Sequence, residues 1–151
     1  MVSKGRLYKR STNFDGAAKE FENAIQTEPD YAPAYRELGE TNFKLGKLEM
    51  AKDNYRKYLE LSKNNCGARV RYASFLYLSK DYSGALNELG QVQQKCDPKN
   101  LTMLRVFSYC YYETKEYQKG AETVSTLFGL LPEDKRTAVD YEYQGKLQIA
   151  N

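Results

Sequence analysis

Histidine is absent from this sequence of 151 residues, and with it the commonest general base of enzymes and a favoured metal ligand. The chain also has no Gly-rich phosphate loop and no GxSxG nucleophile motif. Acidic pairs such as Glu133 and Asp134 have the pattern of ordinary surface residues. These absences argue against an enzyme, and they predict no catalytic residue, no cofactor and no metal site.

Cysteine is scarce. The three cysteines, Cys66, Cys96 and Cys110, are widely spaced and match neither a zinc pattern nor a CxxC redox pattern. Cys110 lies between aromatic residues on a predicted helix face, so we expect it to fill space in a core. Cys66 and Cys96 open and close one predicted repeat, whose helix ends can lie close enough for a disulfide, but we expect two reduced thiols.

Long apolar stretches are also missing. None approaches the roughly 18 to 20 residues that span a bilayer, and the N-terminal sequence MVSKGRLYKR has no apolar core of a secretory signal. We therefore expect a soluble chain without membrane insertion, and its compartment stays open. The 23 basic and 20 acidic residues give a net charge of only +3 and are largely interspersed. The basic N-terminus is best interpreted as a solvated helix face, so no nucleic-acid partner is expected.

What the sequence does contain is a repeat. A bulky residue followed three places later by a small one recurs at intervals of 34, 34 and 35 residues. A period of about 34 is typical of arrays of paired helices. The bulky positions are Phe14, Leu48, Tyr82 and Tyr117, and the small ones are Ala17, Ala51, Ala85 and Gly120.

Each repeat divides into two helices. Apolar residues in both halves follow the spacing of one helix face. Gly46 can take the left-handed conformation that ends a helix, and Asn64 and Asn65 can do the same at a later boundary. Prolines stop three of the second helices, because proline cannot continue the hydrogen-bond ladder. The sequence predicts no sheet and nine helices, at residues 2–11, 14–28, 31–45, 48–62, 67–79, 82–96, 101–114, 117–130 and 136–150.

Glycine inside the predicted helix 31–45 has a packing explanation. Gly39 on this helix and Ala51 on the next lack bulk, so the two backbones can approach closely. The sequence resembles the tetratricopeptide repeat family, and the residues that carry the resemblance are Tyr35, Leu38, Gly39, Leu45, Gly46, Ala51, Tyr55 and Leu59.

The resemblance implies an all-α fold, a right-handed superhelix (solenoid) of 34-residue helix-turn-helix repeats. The predicted organisation is a single array, with a partial repeat at 1–30, full repeats at 31–65, 66–99 and 100–134, and the first helix of a fifth repeat at 135–151. We expect this array to be a fragment of a longer one. The third repeat departs most from the family pattern, because Arg69 takes a bulky position and Tyr72-Ala73 replaces Leu-Gly.

In this family the first helices line a concave groove in which partner peptides bind, and the resemblance implies which positions face that groove. They are Arg36, Glu40, Phe43 and Lys44, then Val70, Ser74 and Tyr77, then Arg105, Tyr109 and Tyr112. Phe43, Tyr77 and Tyr112 would form a ladder of one ring per repeat. The alternative is that these rings only pack against neighbouring first helices.

The leading functional hypothesis is a non-catalytic interaction or scaffold module that binds an unidentified protein, as an extended peptide or a partner helix, in its groove. The alternative is a structural spacer or oligomerisation segment of a larger protein or assembly. The last predicted helix carries Val139, Tyr143, Leu147 and Ile149. We expect these residues to be exposed and to support self-association through the ends of the chain.

Overall fold

The computed structural model describes residues 4–5 and 13–150. This part of the chain is all-α, with eight α-helices, one short 3-10 helix at Glu133–Lys135 and no strand. The helices that lie within it agree with the predicted bounds to within two residues, and the predicted helix at 2–11 lies outside the described residues except for the helical Lys4 and Gly5. The helices are α1 (Phe14–Thr27), α2 (Ala32–Lys44), α3 (Leu48–Leu61), α4 (Cys66–Leu78), α5 (Tyr82–Lys95), α6 (Leu101–Glu113), α7 (Tyr117–Leu130) and α8 (Ala138–Ala150).

The chain divides into two compact units, Met1–Ala68 and Arg69–Asn151. The core of the first unit contains Ala17, Ala18, Phe21 and Leu38, with Ile25 and Leu45 packed against them. A methyl group built on Gly39 would lie 2.8 Å from Cδ2 of Tyr55 and 3.3 Å from the carbonyl oxygen of Ala51. The predicted close approach of α2 and α3 at Gly39 and Ala51 is therefore confirmed.

The same packing recurs one repeat earlier. A methyl group built on Gly5 would collide with the ring of Phe21, which is fully buried. Gly5 and Phe21 have the same sequence separation as Gly39 and Tyr55. A glycine in the first helix thus accommodates an aromatic ring of the second helix in both repeats.

The helices that precede Gly46, Lys80 and Lys115 all end in a left-handed backbone conformation, although the residue type differs. Gly46 has a φ of 78° and confirms the predicted left-handed helix end; Lys80 and Lys115 take the same conformation in the later repeats. Asn64 is also left-handed, but Asn65 is not: the second left-handed residue there is Lys63. The side chain of Asn65 instead caps α4 by accepting a hydrogen bond from the Ala68 N–H at 2.8 Å. Asn65 therefore acts as the N-cap of α4, a position at which asparagine is favoured, and not as the left-handed end of α3.

The second unit has a core that includes Leu89, Val92, Met103, Leu127 and Leu147, all almost fully buried. Here the departure of Arg69 from the family pattern has a structural explanation. Its guanidinium group lies 2.7 Å from a carboxylate oxygen of Glu88 on α5, and about one seventh of each side chain is exposed. An ion pair thus takes the place of the usual bulky residue between these two helices.

The cysteines do not all have the predicted state. Cys66 and Cys96 are disulfide-bonded, so the expectation of two reduced thiols is wrong. The repeat spacing allows the two sulfur atoms to lie close together, but it does not determine the distance between them, which decides the bond. Cys110 is a free thiol and is fully buried, as predicted for a core residue. Burial raises the pKa of this thiol to about 12.

None of the helices that the structure describes is both long and apolar enough to cross a membrane.

Candidate functional site

The predicted groove residues of the first unit lie on α2. Glu40 and Lys44 are exposed and Phe43 is half-buried. Arg36 already interacts with other residues of the unit. Its guanidinium group lies 3.4 Å from a carboxylate oxygen of Glu37 and 5.9 Å from the ring centre of Tyr58.

The predicted residues of α4 differ in what they offer to a ligand. Val70 is buried, and the hydroxyl of Ser74 donates to the Val70 carbonyl at 3.0 Å. Tyr77 is half-buried. Of these three side chains, Tyr77 is the one with both exposed surface and a large apolar area.

On α6, Arg105 and Tyr109 converge on a carboxylate of α8. The guanidinium group of Arg105 donates to both carboxylate oxygens of Asp140, with N–O distances of 3.0 to 3.2 Å. The Tyr109 hydroxyl donates to the same carboxylate at 2.8 Å. The side chain of Asp140 is completely buried, whereas that of Arg105 is 25% exposed. Both residues thereby hold α8 against α6.

Asp140 also closes the N-terminus of its own helix. The Thr137 N–H donates to the Asp140 carboxylate at 2.9 Å, and the Asp140 N–H donates to the Thr137 hydroxyl at 3.1 Å. This reciprocal pair is a capping box. Burial by itself would raise the pKa of Asp140, but the hydrogen bonds from Thr137, Arg105 and Tyr109 outweigh it and lower the pKa. The carboxylate is therefore charged at neutral pH.

The tyrosines of this surface form one continuous cluster, which we call the tyrosine cluster: Tyr77, Tyr109, Tyr112 and Tyr143. Tyr143 of α8 stacks on Tyr109 with ring centres 4.4 Å apart and meets Tyr112 edge-on at 5.7 Å. Tyr77 lies 5.5 Å from Tyr109. Tyr77 and Tyr112, two residues of the predicted ladder, thus both contact Tyr143.

Hydrogen bonds of the hydroxyl groups hold the tyrosine cluster in place. Tyr143 donates to a carboxylate oxygen of Glu113 at 3.1 Å. Its hydroxyl oxygen therefore accepts the hydrogen bond from Tyr77, at 2.8 Å. Burial, together with the hydrogen bond donated to the Glu113 carboxylate, strongly raises the pKa of Tyr143, and burial raises that of Tyr77. Both phenols are neutral at physiological pH and fixed in orientation.

A lysine lies against the exposed side of the cluster. The Lys146 ammonium group is 5.4 Å from the ring centre of Tyr112 and 5.0 Å from that of Tyr143. It also lies 3.0 Å from a carboxylate oxygen of Glu142. Glu113 and Glu142 are exposed. This part of α6 and α8 therefore presents aromatic rings and charged groups together.

Asp140, Tyr143 and Lys146 are missing from the predicted site. The pattern Thr137-x-x-Asp140 is a capping-box signal and is visible in the sequence. Tyr143 and Leu147 were expected to be exposed; this is wrong, because α8 packs against α6 and α7 and leaves them 6% and 1% exposed.

A cleft of about 630 Å³ lies beside the first turn of α7, lined mostly by charged and polar side chains, and contains none of the predicted groove residues. Within the described residues, no group of histidine, cysteine, aspartate or glutamate side chains could hold a metal ion.

Comparisons with known proteins give a consistent fold. Residues 32–65 match the family model described as a tetratricopeptide repeat. A putative cytochrome c-type biogenesis protein CcmH of Haemophilus influenzae is 29% identical over 113 residues, which cover 73% of this chain and 24% of that protein. The chain spans less than a quarter of the length of the curated relatives it matches.

Two solved structures have the same fold. The structure of MamA residues 41 to the end from Desulfovibrio magneticus RS-1 has a TM-score of 0.81 at 20% identity, over 97% of this chain and 81% of that one. YrrB, a TPR protein with an unusual peptide-binding site, has a TM-score of 0.76 at 18% identity, over 93% of this chain and 71% of that one.

Proposed function

We propose that this chain, which belongs to the tetratricopeptide repeat family, is a non-catalytic module that binds a segment of a partner protein. The binding surface in the second unit is built on the first helices of its repeats, α4, α6 and α8. The likeness to YrrB, a protein with a peptide-binding site, supports this class of function.

The tyrosine cluster is the observation that carries the proposal. Tyr77 and Tyr112 are half-buried rings on successive first helices, and Tyr143 and its hydrogen bonds fix both in place. Rings that are already ordered lose little conformational freedom when a ligand binds. Tyrosine is also among the residues that most often dominate binding energy at protein interfaces.

The predicted groove residues take two roles in this proposal. Exposed or half-exposed side chains contact the partner: Tyr77 and Tyr112 in the second unit and, on the separate surface of the first unit, Glu40, Phe43 and Lys44. Arg105 and Tyr109 act as positioning residues, because the buried carboxylate of Asp140 already uses their donors.

The test is a pair of alanine substitutions, Tyr77→Ala with Tyr112→Ala, in the full chain. Partners are captured from the source organism, and the affinity of the captured protein is then measured by calorimetry. We expect binding to weaken by at least about 2 kcal/mol, the usual scale of interface hot spots, and the midpoint of unfolding to fall much less.

Two controls separate binding from folding. Tyr111→Ala removes a half-buried tyrosine of the same helix that stacks on Phe107 instead of joining the cluster. It should leave binding unchanged. Tyr112→Phe keeps the ring and should bind as the wild type does. If stability falls as much as binding in the double variant, the rings are core residues and the proposal fails.

Self-association is a second candidate, favoured by the exposed apolar residues of α8. Ile149 is 90% exposed, and Val139 and Tyr141 are each 44% exposed. Sedimentation over a range of concentrations tests it, with Ile149→Glu as the variant expected to restore the monomer. Leu147→Glu is unsuitable, because Leu147 is buried and its substitution would unfold the unit. A chain that stays monomeric at high concentration excludes this candidate.

A further inference from the structure

The rings of Tyr112 and Tyr143 form a corner that already holds a cation. Their planes meet at 79° with ring centres 5.7 Å apart, and the Lys146 ammonium group lies within 5.4 Å of both ring centres. The face of an aromatic ring attracts a positive charge through its quadrupole, and two faces at a right angle attract it from two sides. The corner is therefore built to receive a cation.

Lys146 is held only weakly in the corner between the two rings. Its ion pair with Glu142 is solvent-exposed, with side chains 38% and 53% exposed. Exposed pairs of this kind contribute little, because water competes for both groups and the long side chains lose entropy. The flexible stem of lysine can carry its ammonium group out of the corner without disturbing the helix.

The charged groups around the corner have a net negative charge. Glu113, Glu142 and Lys146 together carry charges of −1, −1 and +1, which sum to −1. Glu113 accepts a hydrogen bond from Tyr143, and within the described residues it forms no ion pair. An additional positive group beside Tyr112 would therefore be favoured by both the rings and Glu113.

We propose that this corner binds a basic side chain of the partner segment, with arginine preferred, and that Lys146 moves aside to admit it. The inference rests on the proposed function and specifies the chemistry of its ligand. Arginine suits the site better than lysine because its planar group stacks on an aromatic ring while donating two parallel hydrogen bonds to a carboxylate. An acidic segment would meet Glu113 and be repelled.

An oriented peptide library tests this directly. Random heptapeptides carry one fixed central residue, which is arginine, citrulline, lysine or glutamate, and the pools are passed over the immobilised full chain. Citrulline keeps the shape of arginine and removes its charge. We expect the arginine pool to be retained at least fivefold over the citrulline pool, and the glutamate pool to be retained least.

Variants then assign the preference to the corner. Lys146→Met empties the corner and should raise retention of the arginine pool several-fold, whereas Glu113→Gln should abolish the preference over citrulline. Lys119→Met is the matched control. Lys119 also pairs with a glutamate, at 2.8 Å from Glu116, and lies 5.8 Å from the ring centre of Tyr111. It is outside the corner, and its substitution should change nothing.

The outcomes distinguish this inference from the function on which it rests. Retention of all pools that depends on Tyr77 and Tyr112 without a basic preference would keep the binding function and overturn the inference. An unchanged preference in Glu113→Gln would overturn it as well. A wild-type chain that retains no pool above background would contradict both.

Discussion

The buried carboxylate of Asp140 offers the sharpest test of how the second unit is held together. It accepts hydrogen bonds from Arg105, Tyr109 and the Thr137 N–H, and its own N–H completes the capping box. The substitution Asp140→Ala removes every hydrogen bond to the carboxylate at once and leaves the Arg105 charge without its partner, whereas the backbone N–H of residue 140 can still donate to Thr137.

The magnitude follows from the geometry. Removing one partner of a fully buried ion pair costs about 3 to 5 kcal/mol, and losing half of the capping box adds less than the roughly 1 kcal/mol of a whole helix cap. Arg105 is 25% exposed, so water recovers part of the loss. We expect Asp140→Ala to lower the free energy of unfolding by about 3 kcal/mol, and Asp140→Asn by about 2 kcal/mol because the amide keeps one acceptor.

Urea unfolding followed by far-UV circular dichroism measures both variants. A double-mutant cycle with Arg105→Met isolates the coupling between the two side chains, which should exceed about 1 kcal/mol for residues in contact. Asp134→Asn, an exposed acid of the 3-10 helix, should change stability by less than about 0.5 kcal/mol. A cost for Asp140→Ala as small as that of this control would refute the reasoning.

The pH dependence gives an independent check. The hydrogen bonds to Asp140 lower its pKa in the folded chain below the ordinary value of 3.8. A lowered carboxyl pKa stabilises the fold fully above the unfolded-state value and loses its effect as the pH falls through the folded-state value. The stability difference between the wild type and Asp140→Asn should therefore be constant near neutral pH and shrink below about pH 4.

Three further predictions concern packing, helix ends and thiols. Ala51→Leu should lower the free energy of unfolding by about 1 to 3 kcal/mol through overpacking, and a neutral result in urea unfolding would mean that α2 and α3 are not in close contact there. Lys115→Gly should stabilise the chain by about 0.5 to 1 kcal/mol, because it relieves a left-handed lysine; a lowered unfolding midpoint would contradict this. Alkylation without reductant should modify only Cys110, and only after denaturation, whereas modification of Cys66 and Cys96 as well would show that these two are reduced.

The sequence by itself determined the helices and their pairing within a repeat. Helix bounds depend on periodicity and on glycine, proline and asparagine at the ends, and these signals are local. The approach of α2 to α3 was also predictable, because Gly39 and Ala51 lack bulk at positions that recur through the chain. Such features need no knowledge of which side chain meets which across the fold.

Tertiary packing decided the surface that we propose as the binding site. The position of Tyr143 in the sequence does not show that its ring stacks on Tyr109 or that its hydroxyl accepts a hydrogen bond from Tyr77. Those contacts exist only once α8 lies against α6. The same packing turned Arg105 from a predicted ligand contact into a support for Asp140. Long side chains can reach several partners, and the choice among them depends on distances that arise only when separate helices pack together.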